Sequence, residues 1–456
     1  MPLIHTRHPR ILRLHVDFGT GGTARHVVAL RHQTGAAADS HRVWLRDTLA
    51  SFAFVTKTKT TTTTTTVNRD TGVATTPWLR VVVAAHVISA AVTTMQRLIV
   101  GAQINNFLIF RGSFFHLLHH QDLYAQYPQE HLDLFKYSPT WALLFAPFAL
   151  PPVAVGLMLW NLCNALTLCL ALTQLLPPRA AAYALAIAFF EALISIQNAQ
   201  SNGLVAALMI WACVAAERER MTPGALAVGI GASIKLFPVS AGMFGVFSQR
   251  RRVHLLACAV TGLALLAVPL MVTSPATLLA QYRSWGVVEL RDAHDVGMLW
   301  IGGVLETITG HALTHWPLQL LGGSWTAMLC VRAYRAWDDA RVRQTLLASL
   351  LVLATVFNHQ AESPSYVIAF SGLGVWWSVQ PRARWRDALV LAALLVGSIA
   401  GTDLSPKAWR IAYHQGWRLK AVVCTICWFA IQVDLWQMLR ASRRSPGELV
   451  AHEGAP

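Results

Sequence analysis

Apolar residues gather in long runs close to the roughly 20 residues that a helix needs to cross a bilayer. Candidate spans are Leu79–Val100, Val153–Leu176, Ala180–Ile196, Gly203–Ala216, Val253–Thr273, Ala312–Val331, Thr345–Phe357, Tyr366–Trp377, Ala388–Thr402 and Leu419–Trp436. Two further stretches are interrupted. Trp141–Leu150 ends in Pro151-Pro152, and Pro223–Phe247 is broken by Lys235 and Pro238. Proline removes a backbone donor and breaks a helix, so both read as short or re-entrant helices, which membrane depth tolerates where they line a cavity. The pattern predicts an all-α, polytopic transmembrane helical bundle of about 10–12 spans with short re-entrant helices.

Composition agrees. The 456 residues are 54% hydrophobic and 13% charged, about half the roughly 25% charge of a soluble domain. Residues 1–77 differ from the rest: they mix His, Arg, Gly and Thr without period and contain an unbroken run from Thr60 to Thr66. Such a polar tract buries too little apolar area to offset its ordering entropy, so it reads as a disordered cytoplasmic tail or an over-extended start of translation. It has no apolar core of secretory-signal type. Residues 441–456 read as a second disordered tail, which leaves 78–440 as the membrane domain.

The net charge of +15 would suggest nucleic acid on a soluble chain. Here it reports orientation. With both termini cytoplasmic and 223–247 entering and returning, one set of loops holds sixteen basic residues and the other six, a positive-inside bias. The long loop 101–140 and the segment 274–298 then lie outside.

Most connections are a handful of residues long, and longer ones tend to be functional. Loop 101–140 opens with Asn105-Asn106, and 106–118 has the period of an interfacial amphipathic helix. Its acids are Asp122, Glu130 and Asp133, and its cations Arg111 and Lys136, which is followed by Tyr137. Acid beside cation suits proton abstraction from a sugar hydroxyl next to a bound phosphate, although a solvated loop has the same letters. Lys235 is flanked by apolar stretches on both sides. A cation there is a functional candidate, able to hold a lipid phosphate as a point charge or to snorkel to water. Glu191 precedes the amide-rich turn containing Gln200 and Asn202, which could bind sugar hydroxyls or cap two helices. His359 and Glu362, in a polar segment between spans, offer an acid/base pair or a tight turn.

The seven cysteines lie in or at the ends of apolar spans, and Cys424 and Cys427 have metal-site spacing but no second pair. No H-E-x-x-H, Walker A or G-x-S-x-G motif occurs. No metal or cofactor is implied.

These letters in series resemble glycosyltransferase family 87, the polyprenol-phosphate-sugar-dependent membrane enzymes. The series is an aromatic segment ending in Asp122-Leu123-Tyr124; Tyr137-Ser138-Pro139 with Pro147, Trp160 and Asn164; Gln200-Ser201-Asn202; and Lys235-Leu236-Phe237-Pro238. The resemblance runs from about Leu79 to Trp436. It implies a GT-C-like fold and an inverting hexosyl- or pentosyltransferase at the outer face of the bacterial cytoplasmic membrane. A sugar, mannose-like, would pass from a polyprenyl phosphate to a lipid or cell-envelope glycan acceptor. Where that family has a loop aspartate as base, this chain has Asn106, and asparagine cannot accept the proton. Asp122 is the first expected substitute and Asp133 the second, with Glu191 or Glu362 further off; Lys235 with Arg111 or Lys136 would hold the phosphate. The rival readings are a lipid-linked-sugar transporter or flippase and a catalytically silent membrane subunit.

Overall fold

The computed structural model describes residues 77–101, 104–292, 299–402 and 404–442. The two expected tails lie outside the described residues, apart from Pro77, Ala441 and Ser442.

Among the described residues the chain is helical and without strands. Five helices are long and apolar enough to cross a membrane: Pro77–Val100, Val153–Leu175, Pro178–Gln197, Arg251–Met271 and Leu419–Ala441. The other expected spans are also helices, but shorter: Asn202–Glu217, His315–Ala333, Ala340–Val356 and Tyr366–Val379, with Arg384–Ala392 continuing through a π-turn over Ala393–Ser398. The protein is an all-α, polytopic membrane bundle.

Tyr366–Val379 is the central helix: every residue from Tyr366 to Trp376 is buried. It packs along Pro178–Gln197 and Ala340–Val356. Small residues make that approach possible, as they do between membrane helices generally. A Cβ on Gly374 would come within 2.7 Å of the Ala184 backbone.

Both interruptions fall where proline and lysine put them. Pro139–Leu144 and Ala146–Ala149 form one broken pair. The Ser138 side chain caps the first, accepting from Trp141 N at 3.2 Å, with Pro139 at the first helical position. The second interruption ends Met221–Ile234 at Lys235 and resumes as a 3₁₀ turn over Phe237–Gly242. Ser138 Oγ donates to Ser233 O at 2.8 Å, joining the two breaks.

Two differences from the sequence reading matter for the site. Asn105–Leu118 is a helix, but Phe107, Ile109, Phe110 and Phe114 are buried, so it is held within protein more than an interfacial helix would be. Its aromatic side packs into a cluster with Trp141, Phe145 and Trp160. The segment read as an outer loop, 274–298, contains a helix, Pro275–Asp292. Gln281 of that helix grips the long loop, accepting from Leu123 N at 3.0 Å and donating to Gln121 O at 2.8 Å.

Candidate functional site

A cavity of about 710 Å³ opens where the broken helices, the long loop and the turn after Ala340–Val356 converge. Asn106, Asp133, Lys136, Tyr137, Gln200, Lys235, His359 and Glu362 all line it. The structure therefore brings together eight residues that the sequence scatters over some 250 positions.

Lys235 sits at the break between two helices, half-buried, with its backbone already extended. Its ammonium donates to Asn202 Oδ1 at 2.7 Å, and Asn202 Nδ2 donates to Pro364 O at 3.0 Å. Asn202 thus does not line the cavity. It aims the lysine and ties it to the turn that carries Glu362. Lys136 supplies a second cation, 3.9 Å from Asp133 Oδ2 and half-exposed.

The loop aspartates separate. Asp133 faces the cavity, with its Oδ1 accepting from Leu134 N at 2.7 Å. Asp122 lies off the cavity wall and closes a loop turn, its Oδ1 accepting from Tyr124 N at 3.1 Å. The Tyr124 hydroxyl in turn donates to Tyr137 O at 2.7 Å. Burial, reinforced by nearby acids, pushes that phenol far above its ordinary range, so it remains a donor. Arg111 also lies off the wall, its guanidinium 4.9 Å above the Phe115 ring.

Asn106 has a definite partner. Its Nδ2 donates to Asn198 O at 2.8 Å, while neighbouring Asn105 accepts from Leu132 N at 2.7 Å. The two amides bracket the loop against the 198–202 turn. An aspartate at 106 could accept but not donate, and would face a carbonyl oxygen. Asn106→Asp is therefore expected to lower stability by about 1 kcal/mol without raising activity, measured as Tm in detergent and as initial rate. A faster N106D variant would show instead that the position awaits a carboxylate.

Glu191 is not in the cavity. It is fully buried, and both its oxygens are 2.9 Å from the ammonium of Lys420. Apolar flanks mark Lys235 in the sequence, but it is not the most enclosed lysine. Lys420, at the start of the last long helix, is the more deeply buried, and it also donates to Ser363 Oγ at 2.8 Å.

Glu289, Trp285 and Gln319 of the wall escaped the sequence reading, whereas Gln360 belongs to the polar segment that holds His359 and Glu362. Trp285 Nε1 donates to Glu289 Oε1 at 3.0 Å, an i,i+4 contact on Pro275–Asp292. That spacing was the available signal, hidden because no long apolar run marks the helix. His359 Nδ1 is 3.0 Å from Gln319 Nε2, and its ring stacks on His315 at 4.1 Å between centroids.

The model of glycosyltransferase family 87 matches residues 135–358. The chain resembles this family. The matched stretch holds Lys136, Tyr137, Gln200, Lys235 and Glu289, whereas Asn106, Asp133, His359 and Glu362 fall outside it. No curated protein matches the chain. Among solved structures, it is similar to that of ArnT from Cupriavidus metallidurans bound to undecaprenyl phosphate. The identity is 14% and the TM-score 0.37, over 81% of this chain and 79% of that one. The family match supports a membrane glycosyltransferase.

Proposed function

We propose that this protein is a GT-C-like, inverting glycosyltransferase of the bacterial cytoplasmic membrane, with the cavity on the outer face and both termini inside. It moves a hexose or pentose, mannose-like, from a polyprenyl phosphate to a lipid or cell-envelope glycan acceptor. The observation that carries this reading is the meeting of Lys235 and Lys136 with three carboxylates, Asp133, Glu289 and Glu362, in one cavity between apolar helices. The two cations suit a lipid phosphate, and Asn202 holds Lys235 in a fixed position. Charges placed in advance where negative charge develops are usually the largest contribution to such a reaction. The amides of Gln200 and Gln360 and the imidazole of His359 suit sugar hydroxyls. The carboxylates provide for proton removal from the acceptor.

The test is incubation of the purified protein with labelled polyprenyl-phosphate mannose and a membrane-lipid extract. Transfer of label to extract lipids or glycans supports the reading. Tight binding of undecaprenyl phosphate without any transfer favours the silent subunit, and movement of intact donor across a liposome membrane favours the flippase.

A further inference from the structure

A second cavity, of about 730 Å³, adjoins the first. The two share one lining residue, Glu362. The lining of the second cavity is mixed: Phe190, Leu193, Ile194, Leu299 and Leu404 are apolar, whereas Gln197, Asn198, Thr402, Arg410 and Glu362 supply amides, a hydroxyl and charges. That mixture suits an amphipathic molecule with a glycan head and an alkyl tail.

We propose that Glu362 is the base that deprotonates the acceptor, and that the acceptor is an amphipathic glycoside entering through this second cavity. The proposal rests on the transferase reading above and assigns its second substrate. Such a reaction needs two substrates that meet at one point, and Glu362 lies where the two cavities meet. Glu362 and Lys235 line the same first cavity. Among the described residues its carboxylate has no hydrogen-bond or ion-pair partner. The other wall acids are engaged: Asp133 with Leu134 N and Lys136, Glu289 with Trp285. The turn bearing Glu362 is held from behind, because Lys420 fixes Ser363 and Asn202 fixes Pro364.

In the reaction, the acceptor O–H bond breaks and its proton passes to a Glu362 oxygen. The acceptor oxygen bonds to the anomeric carbon from the face opposite the phosphate. The bond from that carbon to the phosphate oxygen breaks, and its electron pair leaves on the polyprenyl monophosphate, whose added charge faces Lys235.

The experiment uses the full chain in nanodiscs, with labelled polyprenyl-phosphate mannose as donor and octyl α-mannoside as acceptor. Glu362 is exposed, so Glu362→Gln should fold. It is expected to lower transfer roughly hundredfold with donor KM unchanged, and formate should restore part of the rate of Glu362→Ala. Ile194→Trp should raise KM for octyl mannoside and leave donor KM alone. Wild-type turnover by E362Q, or no effect of formate on E362A, would overturn the assignment of the base. A diazirine derivative of octyl mannoside tests the cavity without turnover. Crosslinks to the 190–198 and 401–410 peptides, undisturbed by undecaprenyl phosphate, support it; crosslinks confined to the first cavity, or none, overturn it. A wild type that transfers nothing defeats the transferase reading and the base together, while the crosslinks still decide the second cavity.

Discussion

Lys420→Ala is expected to destabilise the folded protein by about 3–5 kcal/mol, the usual loss when one partner of a buried ion pair is removed. Glu191 and Lys420 are 0% and 1% exposed, with both carboxylate oxygens 2.9 Å from the ammonium. Removing the lysine leaves a carboxylate deep in the bundle with no countercharge. Desolvating the two groups nearly offsets their attraction, so the double replacement by methionine, Glu191→Met with Lys420→Met, should be far milder than either single alanine. Thermal unfolding in detergent separates these cases. A Lys420→Ala variant melting with the wild type would mean that the pair does not exist in the folded protein. Activity adds a second readout, because Lys420 also holds Ser363 beside Glu362. The double methionine variant should therefore keep its Tm better than its turnover.

That pair also shows where sequence reasoning stops. The long spans were legible because hydropathy is a local property: Pro77–Val100, Val153–Leu175 and Pro178–Gln197 agree with the apolar runs to within three residues at either end. The breaks at Pro151-Pro152 and at Lys235-Pro238 were legible for the same reason, since proline acts on its own helix. Whether a charge is buried depends on what packs against it. Lys420 looks like a residue at the edge of a span, and only the folded bundle encloses it, with Glu191 of Pro178–Gln197 and Ser363 of the 363–365 turn meeting its ammonium. Helix Pro275–Asp292 was missed because its apolar residues are spaced along a polar segment, so no window reaches membrane hydropathy. Glu289 and Trp285 went with it. The long loop contributes Asp133, Lys136 and Tyr137 to the cavity wall, but its sequence could not say that Asp133 turns towards the cavity while Asp122 closes a turn. The family resemblance offered a loop acid at position 106; the amide there forms a hydrogen bond that a carboxylate could not donate.

Lys235→Ala is expected to lower transfer by about 10²–10³-fold, the range found when one preorganised donor to a developing anion is lost, with little change in Tm. The lysine is positioned for that task before any ligand arrives. Its ammonium is fixed at 2.7 Å from Asn202 Oδ1, and Asn202 is itself tied to Pro364 O. A point charge held in this way costs little reorganisation when charge builds on the leaving phosphate. Lys235→Arg keeps the charge but spreads it over a planar fork, so it should recover part of the rate. Asn202→Leu leaves the cation in place and removes what aims it; transfer should fall less than in Lys235→Ala, with kcat affected more than donor KM. Initial rates with labelled polyprenyl-phosphate mannose, alongside binding of undecaprenyl phosphate, measure all three. Wild-type turnover in Lys235→Ala would remove the lysine from the reaction and leave Lys136 as the phosphate-binding cation. Lost binding with normal turnover at saturating donor would instead make Lys235 a ground-state anchor, an interaction equal in substrate and transition state.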